Sequence, residues 1–432
     1  MTLTKKGYLP RIADAKIEQL MASFGAICVE GPKWCGKTWT TLNHAESVYY
    51  VADPALNYQN RQLASIDPSR ALSGKEPHAI DEWQEIPGIW DAVRFEVDQQ
   101  QNRGRFILTG SIMPPKQATA HSGVGRIARL RMRPMTLYES GHTSDEVSFS
   151  RLVFGDSFPP RSTLCQIETS IDEIANFTSR GGWPDTRGLS LNAALELPRQ
   201  YISETANTDM SLVDGIPRDP LKVGALLRSL ARNNQTMVRN STLAKDIGLY
   251  AEAGISVSAP TVQSYLDALG RLYVIEEIPV WNPNMRSSKR IKTAPKRHFV
   301  DPSLAVAALG ATPEKLISDL NTFGFLFETL VARDIKVYAE ALGAMTYHYN
   351  DDSGLKVDLV VEMQDGSWSA FEVKLGASQA DEAAASLIRL KSKMLKSGVK
   401  APNCLAVICG VSRFGYVRDD SVVVLPITAL KA

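Results

Sequence analysis

The chain has 432 residues, 44% of them hydrophobic, with 48 Lys plus Arg set against 47 Asp plus Glu. That length accommodates about three domains of common size, and the near-zero net charge excludes a global field that would draw in nucleic acid, so any such contact needs a local patch. No apolar run is long enough to span a bilayer and Met1–Arg11 has no apolar signal core, while five scattered cysteines without a CxxC pair argue against structural zinc, so a soluble cytoplasmic protein with no membrane partner is expected.

In chain order, the apolar spacing of Ile12, Ile17, Leu20 and Met21 predicts an amphipathic helix over 12–24. The run Ala26-Ile27-Cys28-Val29 reads as a buried strand. It leads into Gly31-Pro32-Lys33-Trp34-Cys35-Gly36-Lys37-Thr38 and then a helical stretch. Strand, Gly-rich loop and helix make a phosphate-binding P-loop. Its backbone N–H groups and helix N-terminus would ring the phosphates of ATP. Lys37 would reach the β- and γ-phosphates, and the Thr38 hydroxyl would bind Mg²⁺. Cys35 reads as a small loop residue.

Val48 to Asp53 predicts a second strand. His78-Ala79-Ile80-Asp81-Glu82 is a short apolar strand ending in two carboxylates. Asp81 would hold Mg²⁺ and Glu82 would polarise the attacking water. Arg105 to Ser111 reads as another buried strand, and Thr109 or Ser111 at its end is a candidate to orient that water. Arg126, Arg129, Arg131 and Arg133 form a basic extended run. Arg126 or Arg129 is a candidate for the γ-phosphate, in its own chain or in a neighbouring subunit; a solvated basic strand is the alternative.

The stretches GPKWCGKT, PHAIDEWQEIPGIWDAVR, FILTGSIM and GRIARLRMRPMTLYES together resemble the prokaryotic AAA-type ATPase family that carries a C-terminal domain of unknown function. Gly31, Gly36, Lys37, Thr38, Asp81 and Glu82 match that family's pattern cleanly. Lys33 and Trp34 stand where the family more often has two basic residues. The resemblance implies a P-loop NTPase domain with a mostly parallel sheet. An oligomer is compatible with it.

Ser157-Phe158-Pro159-Pro160-Arg161 marks a linker, and Gly181-Gly182-Trp183-Pro184 a turn. Leu197 to Asp209 reads as helix. Thr242 to Gly248 and Ala259 to Leu269 read as two helices, the second capped by Ser258, with a strand over Tyr273–Ile278. This order resembles a winged helix-turn-helix, in which Gln263 and Ser264 would face bases, although Asp267 would repel phosphate. A packing or protein-binding module is the competing reading. Arg286 to Lys292, with Lys296 and Arg297, is the strongest basic patch, a solvated loop or a polyanion contact.

The last third predicts a helix over Phe323–Val331 containing Glu328, then strands over 345–349, 357–361 and 368–374, a helix over 383–391 and a strand over 404–409. Asp358, Glu372 and Lys374, with Glu328, resemble the PD-(D/E)xK nuclease constellation. Asp358, Glu372 and Glu328 would hold Mg²⁺, and Lys374, on the same strand face as Glu372, would orient water. The expected organisation is therefore an α/β P-loop ATPase domain (1–144), a helical and winged-helix-like domain (145–319) and a restriction-endonuclease-like α/β domain (320–432). Nucleic acid or a protein is the candidate partner.

Overall fold

Strand β1 (Ala26–Glu30) is buried along its whole length, as its unbroken apolar run requires of a central parallel strand. This computed structural model describes residues 3–100, 102–115, 118–156, 158–250, 257–284, 287 and 294–432. Around β1 lie β2 (Ser47–Tyr50), β3 (His78–Asp81), β4 (Phe106–Gly110) and β5 (Ile127–Arg131), in the order β2-β3-β4-β1-β5. Every pair is parallel, so all five strands end at one edge of the sheet. That edge gathers Gly31, Asp81 and Ser111, which are distant in sequence. Arg126 precedes β5 and therefore sits at the opposite edge, where its backbone carbonyl accepts from the Ala26 N–H.

The following strands β6 (Val147–Ser148) and β7 (Thr163–Gln166) turn to the end of the chain. Helices then span Ile171–Arg180, Leu191–Glu204, Pro220–Arg232, Asn240–Tyr250 and Ala259–Arg271. The first carries a full capping box between Ser170 and Glu173. The expected cap at Ser258 forms, its hydroxyl accepting the Thr261 N–H. The turn over 251–256 lies outside the described residues. Strand β8 (Ile275–Ile278) pairs antiparallel with β9 (Lys296–Phe299). Gln263, expected to be free to face bases, is instead held by Asn240 at 2.8 Å and Asp267 at 2.7 Å, because the preceding helix brings Asn240 alongside. Arg286 and 288–292 of the basic run lie outside the described residues. Lys296 and Arg297 form no solvated patch. They belong to β9, where Arg297 pairs with Glu277 at 3.0 Å and Lys296 is buried.

The long helix Leu320–Ala341 leads to β10 (Met345–Asn350), β11 (Lys356–Glu362) and β12 (Trp368–Gly376), then the helix Ala380–Lys396, β13 (Leu405–Val411), β14 (Phe414–Val417), β15 (Val423–Pro426) and β16 (Leu430–Lys431). These build a mixed sheet in the order β10-β11-β12-β13-β15-β14-β7, and β16 pairs with β6. The segment after residue 144 thus contributes two strands to sheets of the carboxy-terminal part. One hydrophobic core includes Val29, Leu226, Phe327 and Ile408, so the three parts of the chain share a packed interior.

Buried ion pairs fasten the same parts. The Arg333 guanidinium, 1% exposed, lies 2.8 Å from Asp301 and 2.7 Å from Asp334. Asp301 also accepts the Gly182 N–H at 3.0 Å, and Asp334 that of Leu137 at 2.9 Å. Arg333→Met leaves two buried carboxylates short of their cation and is expected to cost about 3–5 kcal/mol, read as a lowered unfolding midpoint in urea. A midpoint equal to that of the parent chain would remove Arg333 from this role.

Candidate nucleotide and carboxylate sites

The P-loop conformation follows from its glycines. A Cβ on Gly31 would overlap the Met132 carbonyl oxygen, and Gly36 has φ +100°, in the left-handed region that glycine adopts without strain. Lys37 opens the next helix and is buried, its Nζ donating to the Pro32 carbonyl at 2.8 Å. Thr38 donates to Asp81 Oδ1 at 2.8 Å, and Thr109 donates to the same oxygen at 2.7 Å. Burial raises the Asp81 carboxyl above its ordinary range, and the Glu82 charge adds to that rise. The Glu82 backbone is left-handed, φ 58°, and its N–H donates to Thr109 Oγ1 at 3.0 Å. The Ser111 hydroxyl donates to Glu82 Oε2 at 2.8 Å, and the Gln84 amide donates to the same oxygen. Thus Lys37, Thr38, Glu82 and Ser111 line one cleft, and Asp81 is bonded to Thr38 beside it.

That cleft has a volume of about 1300 Å³ and is also lined by Asp209, Leu212 and Asp214. The loop residues that depart from the common pattern, Lys33, Trp34 and Cys35, contact other parts of the chain, although Lys33 and Trp34 also line the cleft. Lys33 pairs with Asp209 at 2.7 Å, and its N–H donates to the Tyr201 hydroxyl at 3.2 Å. The Trp34 ring meets Tyr201 edge-on with centroids 5.7 Å apart. Cys35 is fully buried against the Met132 carbonyl. Tyr201 and Asp209 carry no signal in the sequence that would mark them for this contact. Arg11 was another residue without a motif. Its guanidinium donates to the Cys35 carbonyl at 2.7 Å and the Arg133 carbonyl at 2.8 Å, and pairs with Glu139 at 2.9 Å.

Arg126 does not join this site. It pairs with Asp98 at 2.7 Å at the far edge of the sheet, so it does not reach a phosphate in its own chain. The parallel direction of β5 is the reason. Arg129 pairs with Glu30 at 2.7 Å and stacks over Trp90. Ser111→Ala removes the hydroxyl that fixes Glu82 and is expected to lower ATP turnover about 10- to 100-fold, with little change in nucleotide affinity. Single-turnover phosphate release against nucleotide titration separates the two effects.

A second cluster lies on the carboxy-terminal sheet. Asp358 sits on β11, Glu372 and Lys374 on β12, and Glu328 inside the long helix. Lys374 Nζ is 3.1 Å from Glu372 Oε2, and Asp358 Oδ2 accepts the Val373 N–H at 3.0 Å. The structure therefore brings the four expected residues together. It adds a fifth, Lys296, 2.7 Å from Glu328 and 3.2 Å from Asp358. Burial, then the Asp358 charge, pushes the Glu372 carboxyl up to about 9 and that of Glu328 up to about 7. Burial opposes ionisation of Asp358 too, but the Lys296 and Lys374 ammonium groups bring it below its usual range. Among the described residues, no group of three or more His, Cys, Asp or Glu side chains is arranged to hold a metal ion. Ammonium groups stand among the three carboxylates of the expected ligand set Glu328, Asp358 and Glu372.

Residues 23–140 match the family model of the AAA domain. This part of the chain carries the loop, the parallel sheet and the Thr38–Asp81 contact that a P-loop domain requires. Residues 171–315 and 323–430 match two domains of unknown function, DUF8612 and DUF4143. The chain is similar to the uncharacterized proteins Rv2008c of Mycobacterium tuberculosis and Mb2031c of Mycobacterium bovis. Each is 23% identical over 366 residues, which is 84% of this chain and 73% of the relative. Among solved structures it is similar to the Walker-type ATPase PABY2304 of Pyrococcus abyssi, with TM-score 0.41 and 12% identity over 71% of this chain and 97% of that one. No helix among the described residues is long and apolar enough to cross a membrane.

Proposed function

We propose that the protein binds and hydrolyses ATP and couples its nucleotide state to the rest of the chain. The observation that carries this is the meeting of Thr38 and Asp81 at 2.8 Å beside the buried Lys37. The hydroxyl and carboxylate are hard oxygen donors that suit Mg²⁺, which when bound neutralises charge on the β- and γ-phosphates. Lys37 exchanges the Pro32 carbonyl for phosphate oxygens. Glu82, with one oxygen fixed by Ser111, accepts the proton of a water as its oxygen bonds to the γ-phosphorus. The bond from that phosphorus to the bridging oxygen breaks, and ADP and phosphate leave. Release of phosphate in water, without an added acceptor, tests this. If turnover requires a small-molecule acceptor, the protein is a kinase and the reading falls.

The contacts of Lys33 and Arg11 support coupling. They tie the loop to Asp209 and to Arg133, and Arg133 pairs with Glu276 at 2.9 Å and Glu340 at 2.6 Å. We infer that the coupled event is the handling of nucleic acid by the winged-helix-like and nuclease-like parts. The rate of ATP hydrolysis with and without DNA reads this coupling. A nucleotide-gated switch that binds DNA or protein and never cuts is the second reading, favoured by the position of Lys296. Five free, buried cysteines fit a cytoplasmic setting.

A further inference from the structure

Lys296 reaches the carboxylate cluster from β9, 62 residues before Asp358. The strand is held on both edges: Ile278 and Lys296 are partners in the β8–β9 ladder, and Thr236 bridges to Arg297. Its Nζ stands between two carboxylates, 2.7 Å from Glu328 Oε1 and 3.2 Å from Asp358 Oδ1. The other Asp358 oxygen is taken by the Val373 N–H, and Lys374 covers Glu372. Three buried carboxylates are thus matched by two ammonium groups.

A Mg²⁺ ion binds its oxygens at about 2.0–2.1 Å, so one shared by Glu328 and Asp358 would fall almost on the ammonium. Two cations that close repel strongly in a buried site. Moving Lys296 aside would strand its charge in a buried site. We infer that Lys296 is a built-in counter-cation that takes the place of a divalent ion between Glu328 and Asp358, so that the carboxy-terminal domain, as folded, binds no catalytic metal and cuts no phosphodiester. This rests on the nuclease-like reading of the cluster and is independent of the ATPase, because the test below contains no nucleotide.

Mn²⁺ binding to the full chain, followed by electron paramagnetic resonance, decides it. The parent chain, Asp358→Asn and the isosteric Glu372→Gln are expected to bind the same number of Mn²⁺ ions. Lys296→Met is expected to gain a Mn²⁺ site, which is lost again when Asp358→Asn is added. A Mn²⁺ ion bound by the parent chain and lost in either carboxylate variant overturns the inference. So does a Lys296→Met chain with parental circular dichroism that gains no Mn²⁺. Should Lys296→Met not fold, the parent and the two carboxylate variants still decide. Nicking of supercoiled plasmid by the parent chain with Mn²⁺, abolished in Asp358→Asn or Lys374→Ala, likewise overturns it.

Discussion

Lys37→Ala is expected to reduce ATP turnover at least about 10²- to 10³-fold, the scale of losing a preorganised charge at a transition state. The side chain is buried, and its ammonium is already aimed into the loop, on the Pro32 carbonyl. Phosphate oxygens would replace that carbonyl without a change in the direction of the side chain. Charge that builds up as the β–γ bond breaks then falls on a group that water does not screen. Alanine is a good helix former at the start of the Lys37–Asn43 helix, so the variant should fold. Phosphate release under saturating ATP, together with nucleotide binding, reads the effect. Turnover equal to that of the parent chain would end the ATPase proposal.

Glu82→Gln is expected to behave differently. It keeps the shape of the side chain and removes the base, so ATP should still bind while turnover falls about 10²- to 10⁴-fold. The position is specific. The Glu82 backbone is left-handed, stitched to Thr109 through its N–H, and its carboxylate is held by Ser111 and Gln84. A residue in that backbone region carries strain that neighbouring contacts must hold in place. Measured nucleotide affinity near that of the parent with turnover lost would separate Glu82 from the binding group Lys37. Equal loss of affinity and turnover would make Glu82 part of binding and leave the base unassigned.

The two variants also test how far the cleft is coupled to the rest of the chain. Lys33, Trp34 and Cys35 sit in the phosphate loop yet spend their side chains on Asp209, Tyr201 and Met132. In the proposed nucleotide-bound state, phosphate at the loop would compete for the Lys33 ammonium that now holds Asp209. Such a contact supplies differential interaction between nucleotide states, which any ligand-driven shift requires.

The sequence by itself determined the loop Gly31–Thr38 and the pair Asp81-Glu82. Phosphate recognition uses consecutive backbone N–H groups, and the two carboxylates are adjacent, so both signals are local. The elements around Asp358, Glu372 and Glu328 were legible for the same reason, since strand alternation and helical runs are short-range patterns. Only the tertiary structure decided what those residues meet. The parallel direction of β5 removed Arg126 from the cleft of its own chain, although its spacing alone allowed it. Asn240 bonds Gln263, which stays exposed, and β9 makes Lys296 the buried partner of Glu328 and Asp358. Ion pairs and ring contacts between segments far apart in the chain leave no periodicity behind them. Whether a lysine is solvated or buried between carboxylates is set by packing, and the loop Gly31–Thr38 is itself anchored by Tyr201, Asp209 and Arg11, which no local pattern connects to it.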